Sequence, residues 1–476
     1  MVERDEERVQ EYFSRIRDES ENTSDSVMES AVLRGIEQGK RRKIRRRRSS
    51  ILVTAAAAIL LVFAAVSTAE TLEQRARLAA QQPKPWNELE VFRPLIKDNL
   101  TLKSALDAGY VQRFENAVAE KDGYKLTVNG AVADKYGMLL LYTFENTTGQ
   151  KVAFGGMQIQ DSDGSSLNYG LYTSSYTGDS QYTPVEHRMI EVRWEHPGEL
   201  QNRLMAELSF TKNPVSNPAI GGPDELSKAP EDLLTLKVPI ILDPVMLNNP
   251  GEEITLNQTI EIADQSIIVK KAIVAHTGTY ITIQNAPDNS MEIFSLIDAR
   301  VVEGGESRTY GFGSSLGFGV PDTGQTLVFD HDNMNKDDAL ALTLKGIHAL
   351  DKSKLDVIVD TDKMKILQAP DGKLSVSKGE QYDRPGEIAF NYTMNDPDNA
   401  FGINVGSVSL DNTFTDGDGD RHEFKTSGSS QSTGGPEGYV SSSFYDKGSA
   451  DLPQPLTFKL FSYPSPIMEE HTLKIR

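Results

Sequence analysis

Cysteine does not occur in this chain of 476 residues. Disulfides, thiol catalysis and cysteine-ligated zinc are therefore excluded, and any folded region has to rely on its packed cores. Tryptophan occurs twice, as Trp86 and Trp194, and the 7 histidines are scattered, with no His-x-x-x-His pair. The pattern Gly-x-Ser-x-Gly occurs at 313–317, but without the strand-to-helix turn that makes it a nucleophile elbow. The glycine-rich stretch 311–319 lies between strand-like segments, without the strand–loop–helix setting that a phosphate cradle needs. These absences point to a chain that is not an enzyme.

Positive charge is in short supply over most of the length. Residues 1–50 carry 13 basic and 11 acidic side chains, which leaves 36 basic and 58 acidic ones beyond, out of totals of 49 and 69. Such an acidic region repels a polyanion, so nucleic acid is not an expected partner.

Long apolar runs are also missing, with one exception. Residues 51–69 contain no charge, no proline and no glycine. As a helix they reach ~28 Å at about 1.5 Å per residue, enough for a bilayer core. Directly before them stand Lys40, Arg41, Arg42, Lys43, Arg45, Arg46, Arg47 and Arg48, interrupted only by Ile44. Basic residues flanking a span stay on the cytoplasmic side. The expectation is a transmembrane helix at 49–70, with 1–48 inside the cell membrane and the C-terminal domains outside. A cleaved signal peptide is the competing reading, since Ser67-Thr68-Ala69 offers small residues, but some fifty residues of leader is long for one.

Inside, two short helices are expected. Val9, Phe13 and Ile16 recur at helical spacing, as do Met28, Val32 and Ile36. Helices this small do not bury a core of their own. They are either parts of a partly disordered tail or apolar stripes that fold onto a cytoplasmic partner.

Outside, residues 71–121 read as a helical stalk. Gln82-Pro83-Lys84-Pro85 breaks the helix leaving the membrane, and Leu102, Leu106, Tyr110, Phe114 and Val118 give a further amphipathic pattern expected to pack on the first β domain. From Asp122 the period changes to two. The same order of strands and Gly/Asp/Asn turns recurs three times, in units of about 110–125 residues, the size of one two-sheet domain. The expected fold is mainly β: three tandem antiparallel immunoglobulin-like β-sandwiches at 122–245, 246–364 and 365–476. Residues 355–359 would close the second and 472–475 the third, with joints at 248–251 and 369–372.

The sharpest chemical candidate is Asp416, Asp418 and Asp420, alternating with glycine and flanked by Asp411 and Glu423. Calcium takes six to eight oxygen ligands, and alternate acids can converge on one ion. The competing reading is a solvated hairpin tip, because the equivalent slots in the other two units, Asp161–Gly164 and Glu303–Glu306, are also acidic and glycine-bearing. No other cofactor is implied.

Three stretches carry a family resemblance: 102–110 (Leu-Lys-Ser-Ala-Leu-Asp-Ala-Gly-Tyr), 122–130 (Asp-Gly-Tyr-Lys-Leu-Thr-Val-Asn-Gly) and 138–146 (Met-Leu-Leu-Leu-Tyr-Thr-Phe-Glu-Asn). Together with the basic cluster and single span, they resemble the Gram-positive membrane proteins catalogued as domain of unknown function 4179. The resemblance implies an anti-sigma role, or another role in regulating an extracytoplasmic-function (ECF) sigma factor. On this reading Val9, Phe13, Ile16, Met28, Val32 and Ile36 would meet a cytoplasmic sigma factor while the β domains sense an unidentified extracytoplasmic ligand or state. The alternative is a non-enzymatic cell-surface structural or ligand-binding protein with an idle tail.

Overall fold

The computed structural model describes residues 85–97, 99–173, 182–195, 201–212, 233–303, 306–308, 315–316, 324–330, 338–379, 384–394, 408–435 and 438–476. The expected transmembrane helix, the basic cluster and the stripes at Val9, Phe13, Ile16, Met28, Val32 and Ile36 lie outside the described residues. Among the described residues no helix is long and apolar enough to cross a membrane.

The described part is mainly β, in six antiparallel sheets that face each other in pairs. It opens on a 3-10 helix, Asn87–Lys97, and an α-helix (α1), Leu100–Ala108. Asn99 starts α1 by accepting the Leu102 N–H at 2.6 Å. Gly109 ends it in the left-handed region, φ 68°. The helical pattern expected to run on through Tyr110, Phe114 and Val118 stops there, because the left-handed turn redirects the chain into strand pairing at Gln112–Arg113.

In the first pair, one sheet takes the order Gln112–Arg113, Tyr124–Ala133, Gly137–Asn146, Val185–Trp194, Tyr169–Thr173, with Val118–Lys121 also on Tyr124–Ala133. The facing sheet is Val152–Gln160, Arg203–Lys212, Leu233–Ile241. Strand Gly137–Asn146 is buried on both faces for a simple reason. Met138, Leu140, Tyr142 and Phe144 enter the core between the sheets, whereas Leu139 and Leu141 lie under Trp86, Leu89, Phe92, Leu102 and Leu106 of the helical segment. The expected docking of that segment on the first β domain is therefore present. Trp194 sits in the core.

The remaining strands depart from the expected tandem order. Pro466–Lys474, expected to close the third unit, pairs with Leu340–Asp351 and sends Leu473 and Ile475 into the second core. Asp356–Asp360, expected to close the second unit, pairs with Leu456–Ser462 and places Val357 and Val359 in the third core. The third unit is thus inserted into the second, between two neighbouring antiparallel strands. The entering and leaving segments run side by side: Ser465 accepts the Ala349 N–H at 3.1 Å and Leu355 accepts the Leu460 N–H at 2.9 Å. Residues 369–372 are consequently no joint. They lie inside the inserted unit, where Asp371 accepts the Tyr463 hydroxyl at 2.6 Å. Residues 248–251 do form a turn between units, with Gly251 at φ 65°. The correction has a physical cause. Alternation marks which face of a strand is buried, but both segments alternate alike, and the choice of neighbour is made by pairing between distant residues.

Candidate functional site

The described residue types with unusual burial converge where the first unit meets the second. Asp134 occupies the turn between strands Tyr124–Ala133 and Gly137–Asn146, and its carboxylate is wholly buried. One oxygen accepts the N–H groups of Tyr136 at 2.8 Å and Gly137 at 3.1 Å. The other accepts the Thr277 N–H at 2.8 Å, and the Thr277 hydroxyl lies 2.8 Å from both. Thr277 is itself in a hairpin turn, between Gln265–Ala275 and Gly278–Asn285 of the second unit. Two turns from different units are therefore clasped by one carboxylate.

The network continues inward. The Thr277 hydroxyl is 2.7 Å from the Tyr280 hydroxyl, which accepts from Arg193 Nη1 at 2.9 Å. Arg193 also forms an ion pair with Glu191, and Glu191 accepts from the Asn99 side chain at 3.2 Å. The Thr101 hydroxyl donates to Asp330 at 2.9 Å, so the second unit also holds the start of α1. Nearby, the rings of Tyr110 and His276 stack with centroids 3.4 Å apart. Gly137 has to be glycine here, since a Cβ would lie 2.5 Å from the Val192 carbonyl oxygen.

Burial dominates the electrostatics. It pushes the Asp134 carboxyl up, against the pull of its four hydrogen bonds. Burial, with Glu191 close by, pushes Asp330 up to about 6. Burial lowers His276 to about 4. Burial opposes the charge of Arg193, yet the surrounding acids, Glu191 first, keep it firmly protonated. One guanidinium thus serves three acids, Asp134, Glu191 and Asp330. Such a buried set holds its parts in one geometry, because losing any member strands the others.

The candidate calcium residues are placed differently. Asp416 closes its own loop: one oxygen accepts the N–H groups of Asp418 and Asp420, both at 3.0 Å, and the other meets His422 Nε2 at 2.8 Å. That hydrogen bond to His422 leads the effects holding Asp416 below the usual carboxylate range. The structure does not gather Asp416, Asp418 and Asp420 around a common point; among the described residues no group of three or more histidine and acidic side chains is arranged for a metal ion. The turn uses Asp416 as a backbone acceptor, the reading that competed with calcium in the sequence. Asp330, which no motif singled out, belongs to the junction. Asp134, Glu191, Arg193, Thr277 and Tyr280 belong to no motif in the sequence.

No curated protein matches the chain. Among solved structures, the crystal structure of the conserved domain protein from Bacillus anthracis is 14% identical, over 56% of this chain and 87% of that one, with a TM-score of 0.34. The family comparison falls on the segment where the resemblance was read. Residues 43–146, from the basic cluster through the helical segment to the strand ending at Asn146, match the family model of the domain of unknown function DUF4179, and the chain carries that domain over this stretch.

Proposed function

We propose that the chain is a single-pass membrane regulator. In this reading residues 49–70 form the transmembrane helix, each facing pair of sheets is an immunoglobulin-like sandwich outside the cell, and residues 1–39 hold an ECF-type sigma factor inside. It works without catalysis. The observation that carries the reading is the tie between the segment following the apolar stretch and both of the first two β units. Trp86, Leu89, Phe92, Leu102 and Leu106 are packed on the first unit, and Thr101 is bonded to Asp330 of the second. A change in how these units pack would be felt by the segment that leads back to the membrane. The basic cluster and the DUF4179 match are consistent with it.

The test is a pull-down of the full-length chain from its own cells, beside a chain lacking residues 2–38. Recovery of a sigma factor with the first and not the second is expected, together with a changed transcript profile on deletion. Unchanged transcripts with altered wall or adhesion behaviour would instead favour a surface structural or ligand-binding protein.

A further inference from the structure

A cleft of about 330 Å³ opens beside the clasped turns, between the first and second units. Its floor is the outer face of the sheet in which Ile273 pairs with Tyr280 and Tyr280 with Val328. Tyr136 of the first unit packs against these three side chains, giving one apolar wall. The volume is at the lower end for small-molecule sites, which favour domain junctions and combine apolar walls with a few polar groups.

The charges around this cleft fall into two classes. Lys271 is paired with Glu253 at 2.9 Å, and Arg193 with Glu191. Lys135 and Glu195, which also line it, have no ion pair or side-chain hydrogen bond among the described residues. They come from two different loops of the first unit, the turn after Ala133 and the residue after Trp194. A cleft with low-dielectric walls strengthens the field of charges at its rim. A cation and an anion that no described side chain pairs, beside an apolar wall, complement a ligand that carries an anion, a cation and an apolar group.

We propose that this cleft binds a short zwitterionic peptide, of dipeptide size, with an apolar side chain. Its ammonium faces Glu195, its carboxylate faces Lys135, and its side chain lies against Tyr136, Ile273 and Val328. The proposal deepens the sensing reading by naming a ligand class, but the binding is read on purified protein, so it stands or falls apart from any sigma factor.

The experiment uses the full-length chain in detergent, with alanyl-leucine as the probe and its N-acetylated, C-amidated form as the control. The readouts are melting temperature and the tryptophan fluorescence to which Trp194, on the cleft wall, contributes. The free dipeptide is expected to raise the melting temperature in a saturable way, the blocked form to do nothing, and Lys135→Gln and Glu195→Gln each to weaken binding about tenfold or more. Both positions lie off the cores, and the ligand-free melting temperature of each variant shows whether it is folded. Equal binding of the blocked peptide, or no binding at 10 mM (roughly the weakest affinity worth assigning), overturns the proposal. So does a fall in the ligand-free melting temperature of either variant without any peptide effect in the parent, which would mean that the two residues serve each other.

Discussion

Asp134 is a single side chain on which two units depend. Its four partners are three backbone N–H groups and a hydroxyl, and those of Gly137 and Thr277 are buried, so truncation leaves several buried donors without an acceptor. Asp134→Ala should lower unfolding stability by about 3 kcal/mol or more, given a cost of roughly 1–3 kcal/mol for each stranded group. Thr277→Val should cost less, about 1–2 kcal/mol, since only the hydroxyl is lost. Urea denaturation of the two variants checks the order, and equal losses would show that the clasp is not centred on the carboxylate.

Two neighbours at the same junction titrate in opposite senses. Asp330 is raised to about 6, so the folded protein holds its proton more tightly than the unfolded chain does. Its contribution to stability therefore falls as pH climbs from about 4 to 6. Asp134 is shifted in the same direction and adds to that fall. His276 is lowered to about 4, so there the unfolded chain binds the proton more tightly, and its contribution rises with pH between about 4 and 6.5. The sum partly cancels in the native protein. Asp330→Asn should make stability rise more steeply with pH over 4 to 6, and His276→Gln should make it rise less or fall. Superimposable pH profiles of the three proteins would refute the assignment.

At the scale of the element, α1 is stabilised from outside itself. Its N-terminal N–H groups are met by Asn99 and its first residues by Asp330 from another unit, while Leu102 and Leu106 enter the small core with Trp86 and Phe92. Nine residues make a helix too short to persist alone. Asn99→Ala removes the cap and the bond to Glu191, and should cost about 1–2 kcal/mol. Amide exchange through residues 100–108 should speed up before the strands do, and unchanged protection there would argue against the cap. The apolar spacing of Leu102 and Leu106 is legible in the residues, whereas the same spacing carries the expected helix past its stop at Gly109. The partner Asp330 is not legible, because it stands more than two hundred positions away. The second half of the expected pattern, Tyr110 to Val118, shows how spacing alone misleads. Apolar residues four apart also suit a turn and two short strands that happen to bury the same side.

At the scale of the molecule, the insertion of one β unit into another makes the last strand, Pro466–Lys474, part of the second unit. Leu473 and Ile475 belong to the second core, and Arg476 forms an ion pair with Glu252 at the start of that unit. Removing residues 465–476 should therefore destabilise the second unit and the junction it shares with the first, although it deletes only a tail. Excising the whole inserted segment, by joining Asp351 to Ser465 through a short flexible linker, should be better tolerated, because the ends already lie side by side. Melting curves and limited proteolysis distinguish the two. A tandem order would give the reverse ranking.

What the residues determined by themselves is local. Period-two alternation, acidic glycine turns and the absence of cysteine dictate antiparallel sheets with apolar cores, and the charge and hydropathy contrast at 40–69 marks a segment unlike any other in the chain. The same stretches at 102–146 were enough to indicate the DUF4179 family. What only the tertiary structure decided is which like strands pair, that Asp416 spends its oxygens on its own loop, and that Asp134, Arg193, Glu191, Thr277, Tyr280 and Asp330 meet. The reason is physical. Alternation and turn chemistry act between residues a few positions apart and leave a repeated signature. A buried polar network is assembled from single residues on distant turns, and its energy exists only once burial has removed the water around them.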